Sequence, residues 1–315
     1  MLSVKGEEIS IFIRNFVPRD LDALADLINE ADRVDGWGRG TSSECLGEHL
    51  GRPECYPDLD VFLAERDGAL AGYADVSREL EIGRVIFDGA VHPACRRLGI
   101  GTKLLEQAID HSRGMGASRA HIPIPEGMYP AQELVRKKGF VLIRRHWRLQ
   151  LRVGAGLPPV NLPAGGSLRQ FVPGDEERLA RIQNLAFSGS WGFKPNSVDE
   201  IRYRVGMSFC CPEGIIFAVA GEEVVGYCWT RIDAEYNRRY GRKCGEVFML
   251  GVNPDWQGRG VGRGVLLAGI DHLRLQGMGE VALTVDSENT SACALYEGLG
   301  FKRISELLWY GKELV

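Results

Sequence analysis

The chain has no long apolar segment, no cysteine motif and no excess of basic residues. Its hydrophobic runs all fall short of the roughly 20 apolar residues that a membrane-spanning helix needs. The first 16 residues lack the basic stretch and apolar core of an export signal. The eight cysteines include no Cys-x-x-Cys pair, so we expect neither a metal site nor a disulfide framework. These features predict a cytoplasmic protein with no membrane partner.

Charge and length narrow the class of protein further. Lys and Arg total 38 and Asp and Glu total 42, which gives a net charge of −4 and disfavours a nucleic-acid partner. Hydrophobic residues make up 44% and charged residues 25%, as in globular proteins. A length of 315 residues predicts about two domains. The sequence leaves a monomer and a homodimer both open.

The chain contains an internal repeat. The segment Arg14-Asn-Phe-Val-Pro-Arg-Asp20 returns as Arg169-Gln-Phe-Val-Pro-Gly-Asp175, an offset of 155. A Val-x-Pro segment, a Gly-x-Gly turn, an Ile-Asp-His triplet and a Gly-Phe pair then recur in the same order at an offset of 161. Ordered matches over a period this long predict two tandem globular domains rather than a solenoid.

The domain limits follow from composition. Residues 154–167 are rich in Gly and Pro, which is typical of a linker. We therefore predict an N-terminal domain over 1–153 and a C-terminal domain over 168–315. The second copy has about seven extra residues around 233–243, for which a solvated surface turn is the simplest interpretation.

Each copy shows the same order of predicted elements. A helix after Pro-x-Asp leads to a hairpin, a third strand and a glycine-rich turn, then to a helix, a strand, a helix and a last strand. This order predicts an α/β (α+β) fold with a mixed sheet and helices on both faces.

The glycine-rich turn of the second copy is the most informative stretch. Gly258, Gly260 and Gly262 lie between a strand and a helix, where backbone N–H groups and the helix N-terminus favour an anion such as a diphosphate. The spacing fits neither the G-x-G-x-x-G dinucleotide fingerprint nor a Walker loop. A tight structural turn is the alternative.

The spacing does match [Gln/Arg]-x-x-Gly-x-[Gly/Ala], at Gln257-Gly-Arg-Gly-Val-Gly262 and Arg96-Arg-Leu-Gly-Ile-Gly101. With the Val-x-Pro segment upstream and Gly-Leu-Gly-Phe301 at the end, both halves resemble the GNAT N-acetyltransferase superfamily. The resemblance implies two tandem GNAT domains, each a mostly antiparallel sheet flanked by helices, with acetyl-CoA as co-substrate. The implied co-substrate-binding residues are Leu250, Gly251, Val252, Gln257, Gly258, Arg259, Gly260, Val261, Gly262, Arg263 and Asn289, and in the first copy Val91, Arg96, Arg97, Gly99, Ile100, Gly101 and Thr102.

The same resemblance suggests groups for proton transfer, because the attacking amine must lose a proton and the departing thiolate gains one. Glu246 lies where many members place a general base, and Tyr296 lies where they place the acid. Asn289 would contact the pantetheine arm. Without the resemblance these residues are a surface glutamate, a core tyrosine and a helix cap.

The first copy lacks these groups. The offset of 161 places Val85, Met128 and Val135 opposite Glu246, Asn289 and Tyr296. We therefore expect a degenerate, non-catalytic or weakly active first domain that keeps the phosphate turn. The acidic residues that could act as a displaced base there are Glu79, Glu81 and Asp88.

The sequence says less about the amine that accepts the acetyl group than about the co-substrate. The small-molecule amine that we expect would meet Trp191, Phe193, Trp229 and Arg231, and the basic insert at 238–243 could assist or contact the 3′-phosphate of CoA. The alternatives are a protein or peptide N-acetyltransferase and a non-catalytic acyl-CoA sensor.

Overall fold

The computed structural model describes residues 11–154 and 156–314 and divides into two compact units. Unit 1 holds the described residues up to Ile143 together with those from Trp309 onward, and unit 2 holds Arg144–Leu308. Residues 1–10, on which part of the expectation about an export signal depends, lie outside the described residues, as does Ala155 in the predicted linker.

Unit 1 is a sheet covered by helices. Its elements are β1 (Ile11–Asn15), α1 (Leu21–Asp35), α2 (Ser43–Leu50), α3 (Pro57–Asp60), β2 (Val61–Arg66), β3 (Ala69–Glu79), β4 (Arg84–Val91), α4 (Ile100–Gly114), β5 (Arg119–Pro125) and α5 (Tyr129–Lys137). Strands β1 to β4 pair antiparallel in order, and β4 pairs with β5 in parallel. Helix α1 buries Leu24, Leu27 and Ala31 at helical spacing against this sheet.

Unit 2 repeats this plan with further elements, of which β6 begins and β12 ends with residues of unit 1. They are β6 (Val141–Arg152), β7 (Gly166–Gln170), α6 (Glu176–Phe187), α7 (Val198–Val205), β8 (Cys210–Ala220), β9 (Glu223–Arg231), α8 (Ala234–Tyr240), β10 (Cys244–Val252), α9 (Val261–Leu275), β11 (Glu280–Asp286), α10 (Thr290–Glu297) and β12 (Lys302–Glu313). Strands β7 to β10 pair antiparallel in order, β10 and β11 are parallel, and β11 pairs antiparallel with β6.

The last strand of each sequence copy completes a unit formed mainly by the other copy. In unit 2, β6 pairs with β11 over seven residues, from His146 opposite Asp286 to Arg152 opposite Glu280. In unit 1, Tyr310 is fully buried and the Leu314 N–H donates to the Ser118 carbonyl at 2.9 Å. The predicted domains follow the repeat in the sequence, whereas the compact units do not.

Local features follow the sequence signals. The first hairpin turns at Asp67 and Gly68, with φ of 53° and 78°, the left-handed pair of a type I′ turn. The insert forms the short helix α8 instead of a turn, because Asp233 caps its start by accepting from the Tyr236 N–H at 2.7 Å. The predicted mixed, mostly antiparallel sheet flanked by helices is confirmed. No helix in the described ranges is long and apolar enough to span a bilayer.

Candidate active site

The sheet of unit 2 opens at the middle of β10. Strand β10 pairs with β11 only from Cys244 to Val247, but pairs with β9 as far as Val252. Its register with β9 shifts between Val247 and Met249, which places a β-bulge at Phe248. Beyond Val247, the described strands give the β11-facing edge of β10 no ladder partner. This edge is therefore available to an extended ligand.

The predicted anion-binding turn follows directly after β10. Gly258 and Gly260 have φ of 72° and 87°, which side-chain-bearing residues rarely adopt, and Gly260 is the N-cap of α9. Residues Gln257 to Gly260 are exposed. The first backbone N–H groups of α9 have no acceptor within the helix, and with the helix dipole they attract an anion. The turn therefore has the geometry of a diphosphate site.

Glu246 and this turn lie at opposite ends of one strand. Six residues separate Glu246 from Val252, and at about 3.3 Å per residue they span about 20 Å. Only an elongated ligand can contact both ends. A thioester joined by a long arm to a diphosphate meets this requirement.

Two arginines hold the Glu246 carboxylate. Arg231, its partner across the β9–β10 ladder, donates from Nε to Oε2 at 2.6 Å, and Arg148 donates from Nη1 to Oε1 at 3.1 Å. The Glu246 side chain is 20% exposed, so solvent still reaches it. The Arg231 guanidinium also lies 4.4 Å from the centroid of the Phe248 ring.

Arg148 is a site residue that the sequence reasoning missed. It belongs to β6, the last strand of the first sequence copy, and reaches Glu246 because β6 pairs with β11 inside unit 2. No motif surrounds it, and only the strand pairing reveals its role. Arg231, which we predicted as an acceptor-binding residue, binds the candidate base directly.

Tyr296 lies on α10 in the core beside α9. Its side chain is 6% exposed and its ring meets that of Phe301 at a centroid distance of 5.8 Å. Burial raises the pKa of Tyr296, with smaller effects from Cys228 and Cys293. The hydroxyl is therefore protonated at neutral pH and can donate a proton.

Asn289 and the predicted acceptor residues occupy different environments. The Asn289 Oδ1 accepts from the Ala292 N–H at 3.1 Å and caps α10. The Trp191 ring lies 6.0 Å from His146 and 5.7 Å from the Arg144 guanidinium, and Phe193 is half-buried nearby in sequence. Trp229 is only 2% exposed and packs on Phe248, so it is part of the core rather than an open wall.

The other predicted co-substrate residues of unit 2 surround the turn. Leu250, Gly251 and Val252 end β10, Gln257 and Arg259 lie in the turn, and Val261, Gly262 and Arg263 begin α9. A Cβ at Gly251 would lie 2.6 Å from the Tyr227 ring, so close backbone packing requires glycine here.

Unit 1 keeps the turn without the proton-transfer groups. Gly99 has φ of 81° and caps α4, whose first residues are Ile100, Gly101 and Thr102, while Val91 ends β4. Arg96 is bound to Asp35 by two hydrogen bonds of 2.8 Å, and Arg97 adopts φ of 66° where unit 2 has Gly258. Val85 and Val135 are buried. Strands β3 and β4 pair in one continuous register without the bulge.

Comparison with known proteins identifies the family. The chain matches the Acetyltransferase (GNAT) family over residues 22–140 and 177–301, and it belongs to this family. The predicted tandem GNAT organisation is thereby confirmed. The protein is an acetyltransferase with acetyl-CoA as its co-substrate.

Two relatives that match over more than 90% of both chains are mycothiol acetyltransferases. The chain is 35% identical over 303 residues to the mycothiol acetyltransferase of Paenarthrobacter aurescens, covering 93% of this chain and 91% of that protein. It is 30% identical over 313 residues to the mycothiol acetyltransferase of Thermomonospora curvata, covering 96% and 97%.

Solved structures agree on the fold. A GCN5-related N-acetyltransferase from Sphaerobacter thermophilus matches with a TM-score of 0.74 and 26% identity, covering 96% of each chain. A tandem GNAT protein from the clavulanic acid biosynthesis pathway matches with a TM-score of 0.76 and 18% identity, covering 97% of this chain and 99% of that one.

Proposed function

We propose that unit 2 transfers an acetyl group from acetyl-CoA to the primary amine of a small molecule. The observation that carries this proposal is the placement of the Glu246 carboxylate at one end of an open strand edge and of the glycine turn at the other. The turn would hold the diphosphate, and the unpaired edge of β10 would bind the pantetheine arm as an added strand. The thioester then lies near Phe248 and Glu246.

Glu246 accepts the proton of the attacking ammonium in this proposal. Each carboxylate oxygen already accepts one arginine hydrogen bond, so proton transfer proceeds through a water molecule or with exchange of one arginine. The two ion pairs orient the carboxylate. Tyr296, whose hydroxyl carries its proton at neutral pH, gives that proton to the departing thiolate.

The acceptor that we propose is the cysteinyl amine of desacetylmycothiol or a close analogue. Relatives over nearly the whole chain are mycothiol acetyltransferases, and the rings and guanidinium around Trp191 suit a polar, hydroxylated acceptor. A pure acyl-CoA sensor would have no use for Glu246 and Tyr296.

The experiment measures free-thiol release from acetyl-CoA with cysteinyl-glycoside, aminosugar, polyamine and peptide amines. We expect turnover with the cysteinyl-glycoside, and a fall in kcat of about 10² to 10⁴ in Glu246→Gln and in Tyr296→Phe. Glu297→Gln, an exposed change beside Tyr296 on α10, is the matched control and should leave kcat unchanged. Full turnover in both variants would overturn the residue assignments, and turnover with peptides alone would overturn the acceptor.

A further inference from the structure

The two arginines on the Glu246 carboxylate differ in how firmly they are fixed. Arg231 donates to Oε2 at 2.6 Å, and its guanidinium carbon lies 4.4 Å and 5.8 Å from the ring centroids of Phe248 and Phe209. A short, charge-assisted hydrogen bond and two aromatic neighbours hold this guanidinium in one position. Arg231 is therefore the anchor of the carboxylate.

Arg148 binds the other oxygen more loosely. Its Nη1 donates to Oε1 at 3.1 Å and its side chain is 41% exposed. In the described part of the chain, no aromatic ring lies against its guanidinium and Glu246 is the one side chain to which it donates. An ion pair at this exposure is weak, and the released side chain regains rotamer freedom. Of the two arginines, Arg148 is the one that can leave at small cost.

The sheet is open beside Oε1 and covered beside Oε2. Arg148 lies opposite Thr284 in the ladder between β6 and β11, so the two side chains share a face, and Thr284 is exposed although it lies within its strand. The rings of Phe248 and Phe209 lie on the Arg231 side. A solute therefore reaches the carboxylate from the side of Arg148.

We propose that Arg148 is a displaceable counter-ion of Glu246, and that the ammonium group of the acceptor takes its place at Oε1. This exchange rests on the proposed function, in which Glu246 accepts a proton from that ammonium. While Arg148 is bound, both carboxylate oxygens accept arginine hydrogen bonds. When the ammonium replaces it, the carboxylate stays paired with two cations and the proton to be transferred lies at hydrogen-bond distance. Arg148 is thus a positioning residue, and the exchange needs no intervening water.

The same exchange distinguishes the acceptor from its product. Acetylation converts the ammonium into a neutral amide, which binds a carboxylate more weakly than a guanidinium does. Arg148 then returns to Oε1 in place of the product. The arginine therefore competes with the charged acceptor when it binds and helps the uncharged product to leave.

Initial rates of Arg148→Gln test the exchange, with the cysteinyl-glycoside or whichever amine of the turnover panel reacts. We expect the acceptor KM to fall about two- to fivefold, the strength of a partly exposed ion pair, because no cation has to leave Oε1. The KM for acetyl-CoA should stay the same. Arg148→Lys restores the charge and should restore the acceptor KM. In Arg231→Gln, which loses the anchor, kcat should fall about tenfold or more without a fall in the acceptor KM.

Arg152→Gln is the matched control. It removes the same charge from the same face of β6, on a side chain that is 91% exposed and does not touch Glu246, and it should leave the acceptor KM unchanged. Isothermal titration adds a measurement without turnover. The N-acetylated product should bind Arg148→Gln no less tightly than the unmodified chain, and the gain in amine affinity should vanish when Glu246→Gln is added.

Three results would overturn the exchange. A higher acceptor KM in Arg148→Gln would mean that Arg148 binds the acceptor, a loss of kcat as large as in Arg231→Gln would make it a second anchor, and an equal fall in KM in Arg152→Gln would leave only general charge repulsion. Absence of turnover with every amine would overturn the proposed function and this inference with it. Turnover with an unchanged KM in Arg148→Gln would overturn the exchange alone, so the two failures are distinguishable.

Discussion

At the residue scale, two carboxylates, one in each unit, differ in their partners. Glu246 has a guanidinium on each oxygen, whereas Asp75 on β3, opposite Asp88 of β4, forms no side-chain hydrogen bond among the described residues. Burial and the nearby Asp88 raise the pKa of Asp75 by more than Arg52 lowers it, because a buried carboxylate without a close ion pair prefers to take up a proton. The first arrangement suits a positioned proton acceptor, and the second makes the stability of the fold depend on pH.

The raised pKa of Asp75 predicts that the free energy of unfolding depends on pH. The unfolded carboxyl titrates near 3.9 and the folded one at about 7, so the folded state holds the extra proton between these values and stability falls as pH rises through them. Asp75→Asn removes this penalty. We expect the variant to gain up to about 4 kcal/mol over the unmodified chain at pH 8 and almost nothing at pH 4. Urea unfolding at both pH values measures the difference, and an equal effect at both would contradict the assignment.

Motifs predict some residues of the candidate site, whereas residues that depend on strand pairing have no signal in the sequence. Glu246 and Tyr296 were predicted from the resemblance to the GNAT family and the turn from its glycine spacing, and all three stay predictions. Arg148 could not be predicted, because its neighbour in space lies 98 positions away in the sequence. Trp229 was expected to line the acceptor pocket and lies in the core, since residues alternate between the two faces of a strand and hydropathy does not tell which face is covered.

At the scale of elements, the repeated Arg-x-Phe-Val-Pro-x-Asp motif forms the same turn twice. Asp175 accepts from the Val172 N–H at 3.0 Å and from Arg169 at 2.9 Å, and Asp20 accepts from the Val17 N–H at 2.9 Å and is likewise bound by an arginine. The motif thus ties the first strand of each copy to the start of the following helix. The motif occurs twice in the sequence because each copy needs this same link between its first strand and its first helix.

Asp175 is expected to stabilise the chain in a pH-dependent way. The Arg169 guanidinium, the largest cause, lowers the pKa of Asp175 to about 2, below the unfolded value of about 3.9. The contribution of about 2 kcal/mol is therefore complete above pH 5 and is lost as pH falls towards 2. Asp175→Asn should lower the free energy of unfolding by about this amount at pH 7 and much less at pH 3. Asp199→Asn, on an 80% exposed side chain, is the control.

The glycine turn gives a second prediction for an element. Gly260 has φ of 87°, so Gly260→Ala should cost about 1 kcal/mol of stability through backbone strain. It should also raise the KM for acetyl-CoA several-fold, because the first N–H groups of α9 move away from the diphosphate. Gly189→Ala, where no atom lies within 4 Å of the added Cβ, should change neither value. Thermal unfolding and initial rates measure both, and an unchanged KM would contradict the anion-site assignment.

The β-bulge at Phe248 could not be predicted from the sequence. The strand residues around it read as a continuous apolar run, and the equivalent strand β4 pairs without interruption. A bulge is set by the pairing of two strands, here β9 and β10, rather than by the composition of one. The two copies therefore share an order of elements but differ at the position where a reacting group would lie.

For the whole molecule, the repeat predicts domains over 1–153 and 168–315, and the compact units of the structure change over between Ile143 and Arg144 and between Leu308 and Trp309. Self-similarity identifies copies of a sequence, and strand pairing decides which copy completes which sheet. Strand β6 follows α5 in the first copy, yet Leu149 lies in the core of unit 2 and Trp147 and Leu151 pack against it. A boundary drawn after residue 153 therefore removes part of the unit that carries Glu246.

Two fragments test this boundary. A chain of residues 144–308 contains all of unit 2, whereas residues 168–315 follow the sequence copy and lack β6. Without β6, strand β11 loses seven paired residues, Leu149 leaves a cavity worth about 2 to 5 kcal/mol, and Glu246 loses Arg148. We expect 144–308 to give dispersed amide NMR signals and cooperative unfolding, and 168–315 to aggregate or remain unfolded. A folded 168–315 fragment would mean that β12 replaces β6 beside β11, and that the exchange of last strands is not required for a stable second unit.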